Sequence, residues 1–458
     1  MTLTVRRLAR FFMLALALAF AAVQPAAAQS LLRDSETERL FRDLSKPLIE
    51  AAKLDPANVK VVLVQDPEIN AFVAQGQVVY LHTGLIAATD NANQLQAVIA
   101  HELGHVAGGH AIRIYEGQSA ATKISILSLV LAAAAAAAGA GDAAMGVLLA
   151  GQQAATGNFL SFSRAQESTA DAAGAAYLAQ SGISGRGSLE FFKKLSNQEF
   201  RLAIPQDDGY ARTHPLSSER ISSLQQLYRA DPAWARPTDP AIEARFQRVK
   251  AKLLGFIDPK RATTVYPERD QSVAGHYARA YAYHRGAYPD KAAAEAEALL
   301  KASPDDPFFL ELKGQILLEG GRPAEAIAPL RRAVSRAPDQ PMIAVMLGHA
   351  LIATDDQGNF PEAKQVLKNA VNRDNDNPFA WYQLGIVYDR EGDRARASLA
   401  TAERRNLESE PKLALAAARS ALMELKSGTP DYLRAQDIAM VSETQIKKDK
   451  KNKRDDGK

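Results

Sequence analysis

"VIAHELGHVAGGH", residues 98–110, places three histidines and a glutamate within ten positions of a 458-residue chain that holds only eight histidines. His101, Glu102 and His105 form the pattern HExxH. On a helix, positions i and i+4 stand one above the other, so both imidazoles can reach one cation. Glu102, beside the first histidine, can face a water on that cation and take its proton. Two neutral imidazoles and a carboxylate base are what a hydrolytic zinc site needs, so the stretch reads as a catalytic centre for one Zn2+ per chain. The surrounding "DNANQLQAVIAHELGHVAGGHAIR" (90–113) reads as a helix. Asp90, Asn91 or Asn93 can cap its start, and Leu95, Val98 or Ile99, and Val106 recur at helical spacing. Burying two imidazoles and a carboxylate is costly without a partner, which favours a bound metal.

Two histidines leave zinc one protein ligand short. His110 falls one residue before the last histidine position of the extended pattern HExxHxxGxxH, where this chain has Ala111. If the helix continues, His110 lies about 140° around from His105 and turns to the surface. A second helix offers a carboxylate instead. "SRAQESTADAAGAAYLAQSG" (163–182) has Gly182 as its stop, and Glu167 and Asp171, four apart, share a face. Glu167 can ligate while Asp171 accepts the free ring N–H of a ligating histidine.

HELGH (101–105), ESTAD (167–171) and "THPLSSERI" (213–221) together resemble the HtpX/BepA-like gluzincin metallopeptidases. The likeness to the BepA (YfgC)-like periplasmic group extends over nearly the whole mature chain. It implies His101, His105 and Glu167 as zinc ligands, Glu102 as general base, and Asp171 behind the ligands. It also implies that His214 sits over the metal, filling its open position or aiding the transition state, with the loop 205–217 as a displaceable plug. Arg220 would hold that loop or a developing oxyanion. Thr169 stands where relatives often carry a second Glu, and both functional acids are kept. In similar proteases a strand such as 78–81, within "INAFVAQGQVVYLHTGLI" (69–86), edges the cleft and takes up substrate as a further strand. Asn70 and the backbone of 71–76 are then candidates for peptide contact. The implied role is quality control of outer-membrane β-barrel proteins, as protease or as chaperone and assembly factor, with the β-barrel assembly machinery as partner.

The length calls for two or three domains. Residues 1–28 read as a cleaved signal peptide: Arg6, Arg7 and Arg10, then the apolar "FFMLALALAFAA", then Ala26-x-Ala28. With no cysteine there is no lipid-anchor site and no disulfide, and export to a bacterial periplasm is expected. The net charge of +3 is a property of the two ends, since the leader contributes +3 and the tail 447–458 contributes +4. The chain between them carries −4, so no nucleic-acid partner is indicated. The tail, 446–458, reads as a solvated, disordered end.

"ISILSLVLAAAAAAAGAG" (124–141) is eighteen residues without a charge. One membrane crossing would separate His105 from Glu167. Two crossings need about 40 apolar residues, and 118–160 includes Lys123, Asp142, Gln152 and Gln153. An Ala-rich hairpin packed on the domain, with peripheral contact to a membrane or partner, is expected. Beyond it, Pro232, Pro237, Pro240, Pro259 and Pro267 mark 231–267 as a linker enclosing one short helix. The segments 304–334, 338–371 and 375–403 then repeat. Gly314, Gly348 and Gly385 correspond, as do Ala326, Ala363 and Ala397, and the period is that of the tetratricopeptide (TPR) helix pair. Trp381 and Tyr382 are candidates for the concave face of such an array. The expected fold is mainly α (α+β): a zinc protease domain with a small sheet over 29–230, then an α-helical TPR superhelix over 268–445 that recruits protein substrates.

Overall fold

A mixed four-stranded sheet opens the structure, a computed structural model that describes residues 30–74, 76–137, 140–202, 214–215 and 217–455. The expected leader and most of the 205–217 loop lie outside the described residues. Strand β1 (Ser30–Leu32) precedes helix α1 (Ser35–Ala51), which Asp34 caps by accepting the Thr37 amide. Strands β2 (Lys60–Gln65), β3 (Ala71–Ala74) and β4 (Val78–His82) follow. The order is β1-β2-β4-β3, with β2 and β4 parallel and the other pairs antiparallel. The strand expected at the cleft edge, 78–81, is therefore interior. Val79 and Leu81 of β4 point into the core, and β3 supplies the free edge.

Helix α2 (Thr83–Ala88) leads to α3 (Ala92–Ala107), capped by Asn91, whose side chain accepts the Gln94 amide. Leu40, Phe41, Leu44 and Leu48 of α1 meet Leu95, Ile99 and Leu103 of α3 in one core. Gly108 closes α3, Gly109 takes a left-handed φ of 63°, and α4 (His110–Ala137) departs in a new direction. It pairs with the long α5 (Gly141–Gln180), beyond which Gly182 (φ 66°) breaks the helix as expected. The α4–α5 hairpin does not pack on the domain as expected: its large apolar side chains face outward. Helices α6 (Arg186–Leu202) and α7 (Ser218–Ala230) complete this part.

The segment expected as a linker is mostly helical. A 3-10 turn (Pro232–Ala235) leads to α8 (Pro240–Ile257) and α9 (Pro259–Val265), whose prolines stand at helix starts, where a missing N–H costs nothing. Phe246, Val249 and Leu253 of α8 enter the N-terminal core. Its other face puts Ala251 against Ala278 and Ala282 of α10 (Val273–Arg285), the first helix of the array. Helix pairs then follow as the repeats require. They are α11 (Pro289–Ala302); α12 (Pro307–Glu319) with α13 (Pro323–Arg336); α14 (Pro341–Ala353) with α15 (Phe360–Arg373); and α16 (Pro378–Arg390) with α17 (Arg394–Leu407). A Cβ on Gly314 would lie 2.4 Å from Leu330, and one on Gly348 2.6 Å from Leu367, so each glycine is where the helices of a repeat touch. Trp381 is buried in this core and donates from Nε1 to the Asn375 carbonyl, whereas Tyr382 is exposed under the Arg404 guanidinium. After α18 (Pro411–Glu424), α19 (Pro430–Asp455) continues through most of the tail expected to be disordered. Its Lys, Arg and Gln residues are good helix formers, and Gln445 donates to Asp449 one turn on.

Buried ions tie the two parts together. Glu36 of α1 accepts from Arg248 and from the Tyr277 hydroxyl (2.6 Å), and lies 3.4 Å from Lys252. Arg248 also reaches Asp306 (2.7 Å), and Ser35 donates to Glu311 (3.1 Å). Removing one partner from such a set strands a buried charge, which costs about 3–5 kcal/mol. Glu36→Ala is expected to lower the unfolding free energy of the full chain, read from denaturant titration, by an amount of that order.

Candidate metal centre

Helix α3 carries His101, Glu102 and His105, and α5 carries Glu167 and Asp171. The two helices cross at glycine. A Cβ on Gly104 would stand 2.6 Å from the Ala170 carbonyl oxygen, and one on Gly174 3.1 Å from the Ala100 backbone. This approach brings Glu167 to the histidine pair. The Nε2 atoms of His101 and His105 are 3.1 Å apart, and Glu167 places Oε2 3.4 Å from the first and Oε1 3.4 Å from the second. His214 completes the group through Nδ1, 3.2 Å from His101 Nε2 and 3.1 Å from Glu167 Oε1. All four residues are buried. A tetrahedron of donors about 2.0–2.1 Å from a central ion has edges of about 3.3 Å, so these separations fit one cation.

The charges fit it too. Burial opposes a proton on His101, yet Asp171 and Glu167 outweigh burial and raise its pKa to about 10. Burial pushes the Glu167 carboxyl up, but His101, His105 and His214 hold it far below the usual carboxylate range. The pocket attracts positive charge. Glu102 is wholly buried, with His214 Nε2 3.4 Å from its Oε1, and neither of its oxygens receives a hydrogen bond. It is a carboxylate held out of water beside the four ligand atoms.

The next ring orients the histidines. Asp171 Oδ1 lies 3.0 Å from His101 Nδ1. Arg220 clasps Asp171 with two donors, Nε at 2.7 Å and Nη2 at 2.8 Å, while Nη1 donates to the Pro215 carbonyl and lies 3.1 Å from Glu167. These donors thus serve the ligands and the loop. His110 is the correction. It is buried, with Nδ1 2.9 Å from His105 Nδ1, because the helix does not continue past the Gly108–Gly109 turn and the chain folds back over His105. Burial first, then the charges of His105 and Arg113, lower its pKa to about 4, so it stays neutral and its Nδ1 can accept a hydrogen bond from the His105 Nδ1–H. The signal available in the sequence was the glycine pair just before it. Asn70 is buried at the start of β3. The Asn70 carbonyl bonds inward to the His82 amide, so the next one, Ala71, faces the free edge, where His214 Nε2 lies 3.3 Å from it.

The model of peptidase family M48 matches residues 32–228. The metalloprotease LoiP of Escherichia coli K12 is 35% identical over 206 residues, 43% of this chain and 73% of that protein. The chain belongs to peptidase family M48. It is a metallopeptidase, and its M48 domain holds all four residues of the cluster that could hold a metal ion. The wider chain is similar to the β-barrel assembly-enhancing proteases of Yersinia pestis and E. coli K12. Identity is 28% to each, covering 90% and 87% of this chain and 84% and 81% of the relatives. The M48 match stops before α8, although α8 fills part of the same core.

Widening the helix crossing should loosen the site. Gly104→Val forces a side chain into the Ala170 backbone, an overpacking worth about 1–3 kcal/mol. A lowered melting temperature together with weaker metal retention on dialysis is expected.

Proposed function

We propose that the chain is a zinc-dependent endopeptidase of the bacterial periplasm that cleaves misfolded or misassembled envelope proteins recruited by its TPR array. The observation that carries this reading is the cluster of His101, His105, Glu167 and His214 at tetrahedral spacing beside the unbonded Glu102. Three imidazoles and one carboxylate are a donor set suited to zinc, and poor for magnesium or calcium, which prefer oxygen. Zinc bound there would supply a Lewis acid for the scissile carbonyl and a lowered pKa for a water. Glu102 would take that water's proton and deliver it to the leaving amine. Asp171 and His110 would hold the ligating histidines in the correct tautomer, and Arg220 would brace Asp171 and Glu167. A substrate strand would add along β3 from Asn70. A role in outer-membrane β-barrel assembly, with the assembly machinery as TPR partner, is supported by the names of the relatives that span most of this chain. Zinc analysis of the purified protein with casein digestion tests the reading. A metal-free protein that never cuts casein would end it.

One observation favours a second reading, an assembly factor whose protease is latent. His214 occupies the fourth corner, where a water has to enter, and covers the outward Ala71 carbonyl that a substrate strand would use. His214→Ala should vacate both positions while the other three ligands remain. Casein cleavage is expected to rise several-fold with zinc content unchanged, or to rise less if His214 also aids the transition state. Unchanged proteolysis with an unchanged metal spectrum would sink both versions.

A further inference from the structure

The α4–α5 hairpin is built inside out for water. Along its contact the buried side chains are small: Ser128 and Ala132 on α4, Ala144 and Ala155 on α5. A Cβ on Gly151 would sit 2.0 Å from Ser128 Cβ, so the helices touch at backbone distance. The large side chains face away. Ile126, Leu127, Leu129, Val130 and Leu131 are each more than half exposed, and at 100° per residue they sweep the whole outward arc of α4 rather than one stripe. Met145 and Leu149 continue this on α5. Small residues inside and large apolar residues outside is how helices pair in lipid, where close backbone contact rather than burial of large side chains holds them together.

We infer that the distal half of this hairpin enters the hydrocarbon of a phospholipid bilayer and seats the peptidase on a membrane surface. A protein groove would dry one face and leave the opposite face wet, whereas lipid covers every outward direction. The length agrees. From residue 124 to its end at Ala137, at 1.5 Å per residue, the first arm reaches about 20 Å, against about 30 Å for a hydrocarbon core. The base is dressed for the interface: Lys123 and Arg164 are exposed on the two arms, and Tyr115 is 72% exposed below them. Asp142 at the turn and the exposed Gln152 and Gln153 oppose deep entry. Both ends of the hairpin stay on one side, as they must, because His105 precedes it and Glu167 follows it. The inference goes beyond the proteolytic reading and does not depend on it.

The chain contains no cysteine, so single cysteines can report position without background. Leu131→Cys and Leu149→Cys, each labelled with an environment-sensitive fluorophore, should shift to the blue and resist an aqueous quencher on adding phosphatidylethanolamine–phosphatidylglycerol vesicles. Lys412→Cys in the TPR array should not. The double variant Leu127→Asp, Val130→Asp should co-float with those vesicles at least tenfold less than wild type, with its thermal melt unchanged because both side chains are exposed. Binding should weaken on pure phosphatidylcholine, given the basic base of the hairpin. Hairpin labels that remain quenchable at saturating vesicle would overturn the inference. So would a concentration-dependent dimer, abolished by the double variant, in a protein that never floats, since the apolar face would then belong to a second copy.

Discussion

Glu102→Gln is expected to reduce casein cleavage by about 10²- to 10⁴-fold while zinc content stays at the wild-type level. The amide keeps the shape of the carboxylate, and the buried position tolerates it, since neither Glu102 oxygen receives a hydrogen bond that the change would break. It removes the one group proposed to accept the proton. The four clustered ligand atoms belong to other residues, so metal retention should be untouched. A variant that loses activity and zinc together would move Glu102 from proton transfer to holding the site.

Glu167→Gln should separate the two effects the other way. The carboxylate contacts His101, His105, His214 and Arg220 at 3.1–3.4 Å. Its loss removes both a proposed ligand and the charge that balances a dication. Zinc affinity should fall by ~100-fold or more, beyond what loss of a supporting residue alone costs. Activity should fall with it and return in part at high zinc. Chelation should lower the melting temperature of wild type far more than that of the variant, because a metal that binds only the folded state stabilises it by RT ln(1 + M/Kd), where M is the free metal concentration. Full zinc and full activity in Glu167→Gln would return attention to His110, buried against His105.

The parts of this molecule that were legible beforehand are those where chemistry repeats at a local period. HExxH needs only the pitch of a helix, and a cap among Asp90, Asn91 and Asn93 and the stop at Gly182 are likewise local. Glu167 and Asp171 were readable as a pair because four residues make one turn. The repeats were readable because Gly314, Gly348 and Gly385 recur where paired helices touch. What failed was set by tertiary direction. A continuous helix would put His110 on the surface, and the left-handed Gly109 redirects the chain instead. The strand 78–81 is interior because its pairing partners are decided by the whole sheet. The proline-marked segment 231–267 was read as a linker because proline punctuates. Here Pro240 and Pro259 sit at the first turns of helices, where proline starts structure as readily as it ends it.

Helix α8 has one face in the peptidase core and the other against the first TPR helix, with Glu36, Arg248 and Asp306 stapled across it. The peptidase core and the helical array therefore share α8 as a common spine. On the proposed reading, the array would work as a caliper. A client held on the TPR surface would present to β3 whichever segment lies one span along its chain. Selection would follow from the length of unfolded polypeptide between the grip and the blade, so a compact, correctly assembled client, lacking that slack, would be spared without its cleavage sequence ever being read.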